Sequence, residues 1–218
     1  MSKQPKSRAL FIEGPVGKLE AAYEIPADAE PIAAVIVCHP HPQHGGTMHN
    51  KVAHTLARTF VRLGFAALRF NFRGTEKSDG HFDDGIGELH DALAAIAWMR
   101  ATQPGKALWL AGFSFGAAIS VRAAIECDAS GLVSVAPAVA RFASGLTTQP
   151  DCPWLIVQGD EDELVDIDET VDWFNGLEPG PELLVMEGAE HFFHGRLVDL
   201  REAVTGFVSD ALAAGLEP

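Results

Sequence analysis

The chain has 218 residues, enough for one well-filled core and short for two. Its composition, 47% hydrophobic and 21% charged, is that of a globular domain in water, and no apolar run approaches the roughly 18 residues that a membrane helix needs. A formal charge of −14, from 30 acidic and 16 basic side chains, sets the surface against nucleic acid and anionic membrane.

Residues 1–8 are polar and basic, with no apolar segment of signal-peptide length behind them, so they read as a flexible tail on a cytoplasmic protein. Residues 9–25 alternate apolar and polar around Gly14-Pro15-Val16-Gly17, the pattern of a β-hairpin. Residues 33–38 are an unbroken apolar run, which suits a strand covered on both faces of a parallel sheet. The Pro- and Gly-rich loop His39-Pro40-His41-Pro42-Gln43-His44-Gly45-Gly46 follows. Val52, Leu56, Phe60 and Leu63 recur at helical spacing, and Gly64 ends that helix. A strand over 65–72 leads into a polar loop from Arg73 to Gly85, then a helix whose apolar stripe reads Ile86, Leu89, Leu93, Ile96 and Ala97. A strand ending at Ala111 enters Gly112-Phe113-Ser114-Phe115-Gly116, and a helix leaves it. Further strands read at 132–136, 154–159 and 182–186, with helices at 168–175 and in the last 20 or so residues. A hairpin followed by strictly alternating strand and helix predicts one domain over residues 1–218. It is built on an eight-stranded, mainly parallel sheet with helices on both faces. The edge strand near the C-terminus is open to pairing in a homodimer.

In open sheets of this kind the chemistry sits at the carboxyl ends of the strands. Those ends carry His39-Pro40-His41, Asn71-Phe72-Arg73-Gly74, Ser114, the run Asp160-Glu161-Asp162-Glu163, and His191. A G-x-S-x-G turn between a buried strand and a helix holds its serine exposed in a strained conformation. A serine hydroxyl is a poor nucleophile without a base, histidine is the base with a suitable pKa, and a carboxylate must fix the histidine tautomer. Ser114, an aspartate of the acidic run and His191 occur in the chain order this sheet requires. The oxyanion would be met by the N–H of Phe115 and by the loop after Cys38, where Pro40 has no N–H and His41 is the first available donor.

On these motifs, which run from about residue 10 to the C-terminus, together with Gln158-Gly159 and Ala189-Glu190-His191-Phe192-Phe193, the chain resembles the α/β-hydrolases. Within them it resembles the small bacterial dienelactone-hydrolase-like and serine-aminopeptidase-like esterases. The resemblance implies an acyl-bond hydrolase needing no cofactor or metal, with Ser114, Asp162 and His191 as its triad and the N–H groups of Phe115 and His41 as oxyanion donors. The G-D-x-D-x-x-V pattern of related folds favours Asp162 over Asp160. Two departures stand out. Gly74-Thr75-Glu76-Lys77-Ser78 lacks the second glycine of a G-x-G-x-S loop, and residues 136–151 are too few for the lid common in relatives, which predicts a lidless, open site.

Rival readings remain for several residues. His39, His41, His44 and His49 have spacing compatible with zinc, but their interleaved prolines suit a tight turn and no carboxylate lies among them. Cys38, Cys127 and Cys152 are odd in number, lack C-x-x-C spacing, and read as reduced, buried thiols. Phe192 and Arg73 are candidates for the substrate pocket, with loop anchoring as the other role for Arg73. The expected reaction is cleavage of a small-molecule acyl ester through an acyl-enzyme. A peptidase or acyltransferase on the same triad, and a non-catalytic binding module, are the alternatives.

Overall fold

β1 (Lys6–Gly14) and β2 (Gly17–Ile25) form the predicted hairpin, and an alternating series follows in a computed structural model that describes residues 4–142, 148–178 and 180–215. The strands are β3 (Ala33–Cys38), β4 (Phe65–Phe70), β5 (Leu108–Phe113), β6 (Gly131–Val135), β7 (Trp154–Gly159) and β8 (Glu182–Met186). The helices are α1 (Lys51–Arg62), α2 (Ile86–Thr102), α3 (Phe115–Cys127), the single turn α4 (Val139–Phe142), α5 (Ile167–Asn175) and α6 (Leu197–Ala214). The sheet order is β1-β2-β4-β3-β5-β6-β7-β8, antiparallel at the hairpin end and parallel from β4 to β8.

Every residue of β3, β4, β5, β6 and β7 is buried, as predominantly apolar strands of a doubly covered sheet demand, including the polar Arg69, Ser134 and Gln158. Side chains alternate between two cores. Ala34, Ile36 and Cys38 of β3 join α2, α3 and the hairpin, whereas Ala33, Val35 and Val37 join α1 and α6. Among the described residues no helix is long and apolar enough to cross a membrane.

The chain runs outward from β3 to β4, then returns past β3 to β5. The β3–β5 boundary is therefore the point where the winding reverses, the usual place for a crevice at the strand ends. Cys38 lies beside Gly112 in the register. The Pro-rich loop and the serine turn thus leave the sheet side by side.

Three elements differ from the sequence reading. β1 begins at Lys6, so Lys6, Ser7 and Arg8, read as tail, pair with Ile25, Glu24 and Tyr23. The buried face of α2 is Leu89, Ala92, Ala95, Ile96 and Met99, while Ile86 is 59% exposed. Small alanines at 92 and 95 let α2 lie close to its neighbours, and an apolar stripe counted from large side chains misses them. The segment read as pure loop contains α4, and residues 143–147 within it lie outside the described residues. Among the described residues no lid domain is built there.

Candidate active site

Ser114 sits at the turn from β5 into α3 with φ 56° and ψ −118°. A non-glycine residue there costs roughly 1–3 kcal/mol and persists only where its surroundings over-determine it. The Ser114 N–H donates to the Val135 carbonyl at 2.9 Å, and its own carbonyl accepts from the N–H groups of Ala117 and Ala138. The flanking glycines admit no side chain. A Cβ on Gly112 would lie 2.3 Å from the Gly116 carbonyl oxygen, and one on Gly116 would lie 2.3 Å from the His39 carbonyl oxygen. The turn is thus pressed between its own helix and the loop after β3. Ser114 stands at the N-terminus of α3, where free N–H groups favour negative charge.

Asp162 follows β7 and His191 follows β8. Ser114 Oγ lies 3.1 Å from His191 Nε2, and His191 Nδ1 lies 2.8 Å from Asp162 Oδ2 and 3.0 Å from Oδ1. An ionised carboxylate only accepts, so Nδ1 carries the proton and Nε2 faces the serine hydroxyl as acceptor. The buried imidazole is held between rings, with Phe113 tilted against it at 4.9 Å and Phe192 edge-on at 5.1 Å. Burial pushes the Asp162 carboxyl up. The His191 hydrogen bond, the Val165 N–H, the charge of His191 and the Leu164 N–H outweigh it and hold the carboxyl below its ordinary value. The rival acid Asp160 accepts from the Gly188 N–H at 2.6 Å instead. Glu190 pairs with His194, so it does not orient His191.

The loop after β3 is fixed from beneath. His39 is buried, its Nδ1–H donates to the Pro40 carbonyl at 2.6 Å, and its Nε2 accepts from the Phe72 N–H at 3.0 Å. Burial pushes its pKa down to about 3, so the ring is neutral. The C=O and N–H of a trans peptide point in opposite directions. Anchoring the Pro40 carbonyl on His39 therefore turns the His41 N–H away from that ring. Neither the His41 N–H nor the Phe115 N–H donates a hydrogen bond among the described residues. Further along, Asn71 Oδ1 accepts from the Met48 N–H and buried Arg69 donates to the Met48 carbonyl. The His41 ring lies 4.9 Å from Phe82, 5.1 Å from Phe115 and 5.6 Å from Phe142. Burial, then the His44 and Arg141 charges, lower its pKa to about 4 against the pull of Asp84.

A cavity of about 510 Å³ lies over Ser114. Its walls include His41, Phe142, Leu164, Val165, His191 and Phe192. Phe192 is therefore placed at the pocket, 37% exposed. Arg73 is not. Its guanidinium is buried against Asp91, with Nη2 2.8 Å from Oδ1 and Nε 3.0 Å from Oδ2, and its own N–H donates to the same carboxylate. A Cβ on Gly87 would meet Arg73 Nη1 at 2.0 Å, so a glycine in the first turn of α2 makes the room. The anchoring role holds for Arg73. As for metal, both ring nitrogens of His39 are committed to the protein. Among the described residues no three His, Cys, Asp or Glu side chains group as ligands.

Two neighbours of Asp162 and His191 lie in the motif around residues 158–163, but the sequence assigned them no contact. Glu163 accepts the His191 backbone N–H at 3.1 Å, and buried Gln158 donates to Asp162 Oδ2 at 3.0 Å. A polar residue closing an otherwise apolar strand was the available signal for Gln158.

A doubly covered, mainly parallel sheet with a strained serine turn at its reversal point defines an α/β serine hydrolase. The chain belongs to the serine aminopeptidase S33 family, whose model matches residues 29–145. An uncharacterized protein of Rickettsia prowazekii, RP471, is 31% identical over 210 residues, which are 91% of this chain and 87% of that one. Among solved structures, XC6422 of Xanthomonas campestris, described as an α/β serine hydrolase without a lid, is 43% identical with a TM-score of 0.90, over 96% of this chain and 97% of its own. An α/β serine hydrolase homologue from Coxiella burnetii is 46% identical with a TM-score of 0.87, over 91% and 95%.

Proposed function

We propose that the chain is a carboxylic ester hydrolase acting on small acyl esters through an acyl-enzyme on Ser114. The observation that carries this reading is the hydrogen-bonded line from Ser114 Oγ through His191 to the buried Asp162 carboxylate. In the reaction, Ser114 attacks the carbonyl carbon as His191 Nε2 takes its proton. The imidazolium so formed is balanced by Asp162, which stays ionised because its pKa is held low. The tetrahedral oxyanion accepts from the N–H groups of Phe115 and His41, which have no other partner among the described residues. His191 then gives the proton to the leaving alcohol, and water, activated by the same imidazole, releases the acid.

The cavity supports a small, weakly polar substrate, since Val139, Phe142, Leu164, Val165 and Phe192 supply much of its wall. Turnover of short p-nitrophenyl esters tests the reading. Ser114→Ala is expected to lower kcat by about 10⁴-fold or more, and an unreduced rate overturns the assignment. The description of the family as serine aminopeptidases favours a second substrate class, aminoacyl amides, on the same groups. Comparing aminoacyl p-nitroanilides with the matching esters separates the two. A preference for the anilides by kcat/KM would move the substrate class from ester to amide.

A further inference from the structure

Gln158 is the penultimate residue of β7, four residues before Asp162, and its side chain is fully buried. Its amide nitrogen faces three oxygens: Asp162 Oδ2 at 3.0 Å, the Val165 carbonyl at 3.3 Å and the Gly159 carbonyl at 3.4 Å. Its amide oxygen is buried with no hydrogen-bond partner. Turning the amide over would set that oxygen against three acceptors, so the nitrogen is locked toward Asp162. An orphaned carbonyl oxygen is unfavourable. The fold retains it and, with it, a donor on the carboxylate.

The two Asp162 oxygens are held differently. Oδ1 accepts from the backbone N–H groups of Leu164 and Val165, at 2.9 Å and 2.8 Å. Oδ2 is the oxygen nearer His191 Nδ1, and its other donor is Gln158. Without that amide, only the imidazole would fix Oδ2, and all of its negative charge would face the imidazole proton. Other ionisable side chains of the loop after β7 accept from backbone N–H groups or are exposed. Asp160 accepts from Gly188, Glu163 accepts from the His191 backbone, and Asp166 accepts from Asp168 at the start of α5. Glu161 and Glu169 are exposed.

We propose that Gln158 is a positioning residue of this site: its amide N–H fixes the plane of the Asp162 carboxylate and tempers that carboxylate's hold on the His191 proton. The inference rests on the hydrolase reading above. A neutral donor is what the position needs, because it shares the charge of Oδ2 without adding a titrating group beside it.

Gln158→Met keeps the bulk and removes the donor. Gln158→Glu keeps the shape and donates only while protonated. The experiment measures kcat/KM and kcat for p-nitrophenyl butyrate from about pH 5 to about pH 10. Tm and labelling by a fluorophosphonate report folding. Gln158→Met is expected to lose roughly tenfold in kcat at unchanged KM. The acid limb of its kcat/KM profile should move to higher pH, because an untempered carboxylate holds the imidazolium more firmly. Gln158→Glu is expected to match the parent at the acid end and to fall away as the new carboxyl ionises against Asp162. A folded Gln158→Met with the parent's kcat and pH profile overturns the proposal, and so does a Gln158→Glu with no alkaline loss. If Gln158→Met does not fold, Gln158→Glu decides. A parent that turns over no ester is a failure of the hydrolase reading alone. In that case the downfield proton resonance of His191 Nδ1–H decides for Gln158, expected to move in the variants and overturning the proposal if it does not.

Discussion

Arg73 shows how the surroundings of one residue choose between two roles that its type allows. A guanidinium at a strand end can receive an anionic substrate or anchor a loop. The buried Asp91 carboxylate, with the space left by Gly87, commits Arg73 to the second. Arg73→Met strands Asp91 in the core and is expected to cost about 3–5 kcal/mol, read as a lowered denaturation midpoint. KM for neutral esters should stay within the parent's range wherever the variant is folded, and a raised KM with unchanged stability would return Arg73 to the pocket. Ser114, an aspartate of the run 160–163 and His191 were legible in the sequence because each stands at a strand end in the order the fold demands, and the pattern of related folds pointed to Asp162 within that run. The contacts of Asp91 and Gln158 were not, since their partners lie 18 and four residues away and no pattern at that spacing distinguishes a buried polar pair from a solvated one.

At the scale of elements, the serine turn is a packing event before it is a chemical one. α3 begins so close to the loop after β3 that Gly116 has no room for a methyl group, with the Cys38 carbonyl oxygen 2.5 Å from its Cβ position. Gly116→Ala must displace backbone on one side or the other, and with it the peptide that presents the His41 N–H. The expected result is a fall in kcat of roughly tenfold to a hundredfold, the effect of a misplaced oxyanion donor. It would be measured beside the rate of fluorophosphonate labelling, and a parent-like kcat would show that the loop is not held by this contact. Element type followed from the mainly apolar runs of β3 to β7 and from the helical spacing of Val52, Leu56 and Phe60, while the cap at Asn50, whose side chain accepts from Val52 and Ala53, emerged only in the structure. Element faces were less legible where alanine does the packing, as on α2. The single turn α4 was invisible because four residues carry no period. Its Val139 and Phe142 are walls of the cavity.

For the whole molecule, the buried neutral histidines predict how stability responds to acid. His39 has its pKa lowered from 6.5 to about 3 by burial, opposed in part by its bond to Pro40, so the unfolded chain binds a proton that the folded chain refuses. That contribution to stability is complete above about pH 6.5 and is lost as pH falls toward about 3, at up to about 1.4 kcal/mol per pH unit. His41, lowered to about 4, acts in the same direction more weakly because it is partly solvated. Asp162, held below its ordinary value of 3.8, keeps its own contribution above that pH and loses it as pH falls further through its lowered value. Thermal melts are expected to show Tm dropping between about pH 7 and about pH 5, with a shallower drop in His39→Gln; equal slopes would assign the acid sensitivity elsewhere. A second property follows from the loops after β7 and β8. They are stitched together at four places besides the His191 ring: Asp160 N–H to Met186, Glu161 N–H to Ala189, Gly188 N–H to Asp160, and His191 N–H to Glu163. Asp162 and His191 are therefore held to each other by more than their own hydrogen bond, while Ser114 and the His41 and Phe115 N–H groups lie at the ends of β3 and β5. Motion of these loops relative to the serine turn is expected to preserve the Asp162–His191 distance and to vary the contact from Ser114 Oγ to His191 Nε2. Hydrogen exchange should then find the amides of Gly188 and His191 opening in step, and independent opening would show that the two loops do not move as one unit.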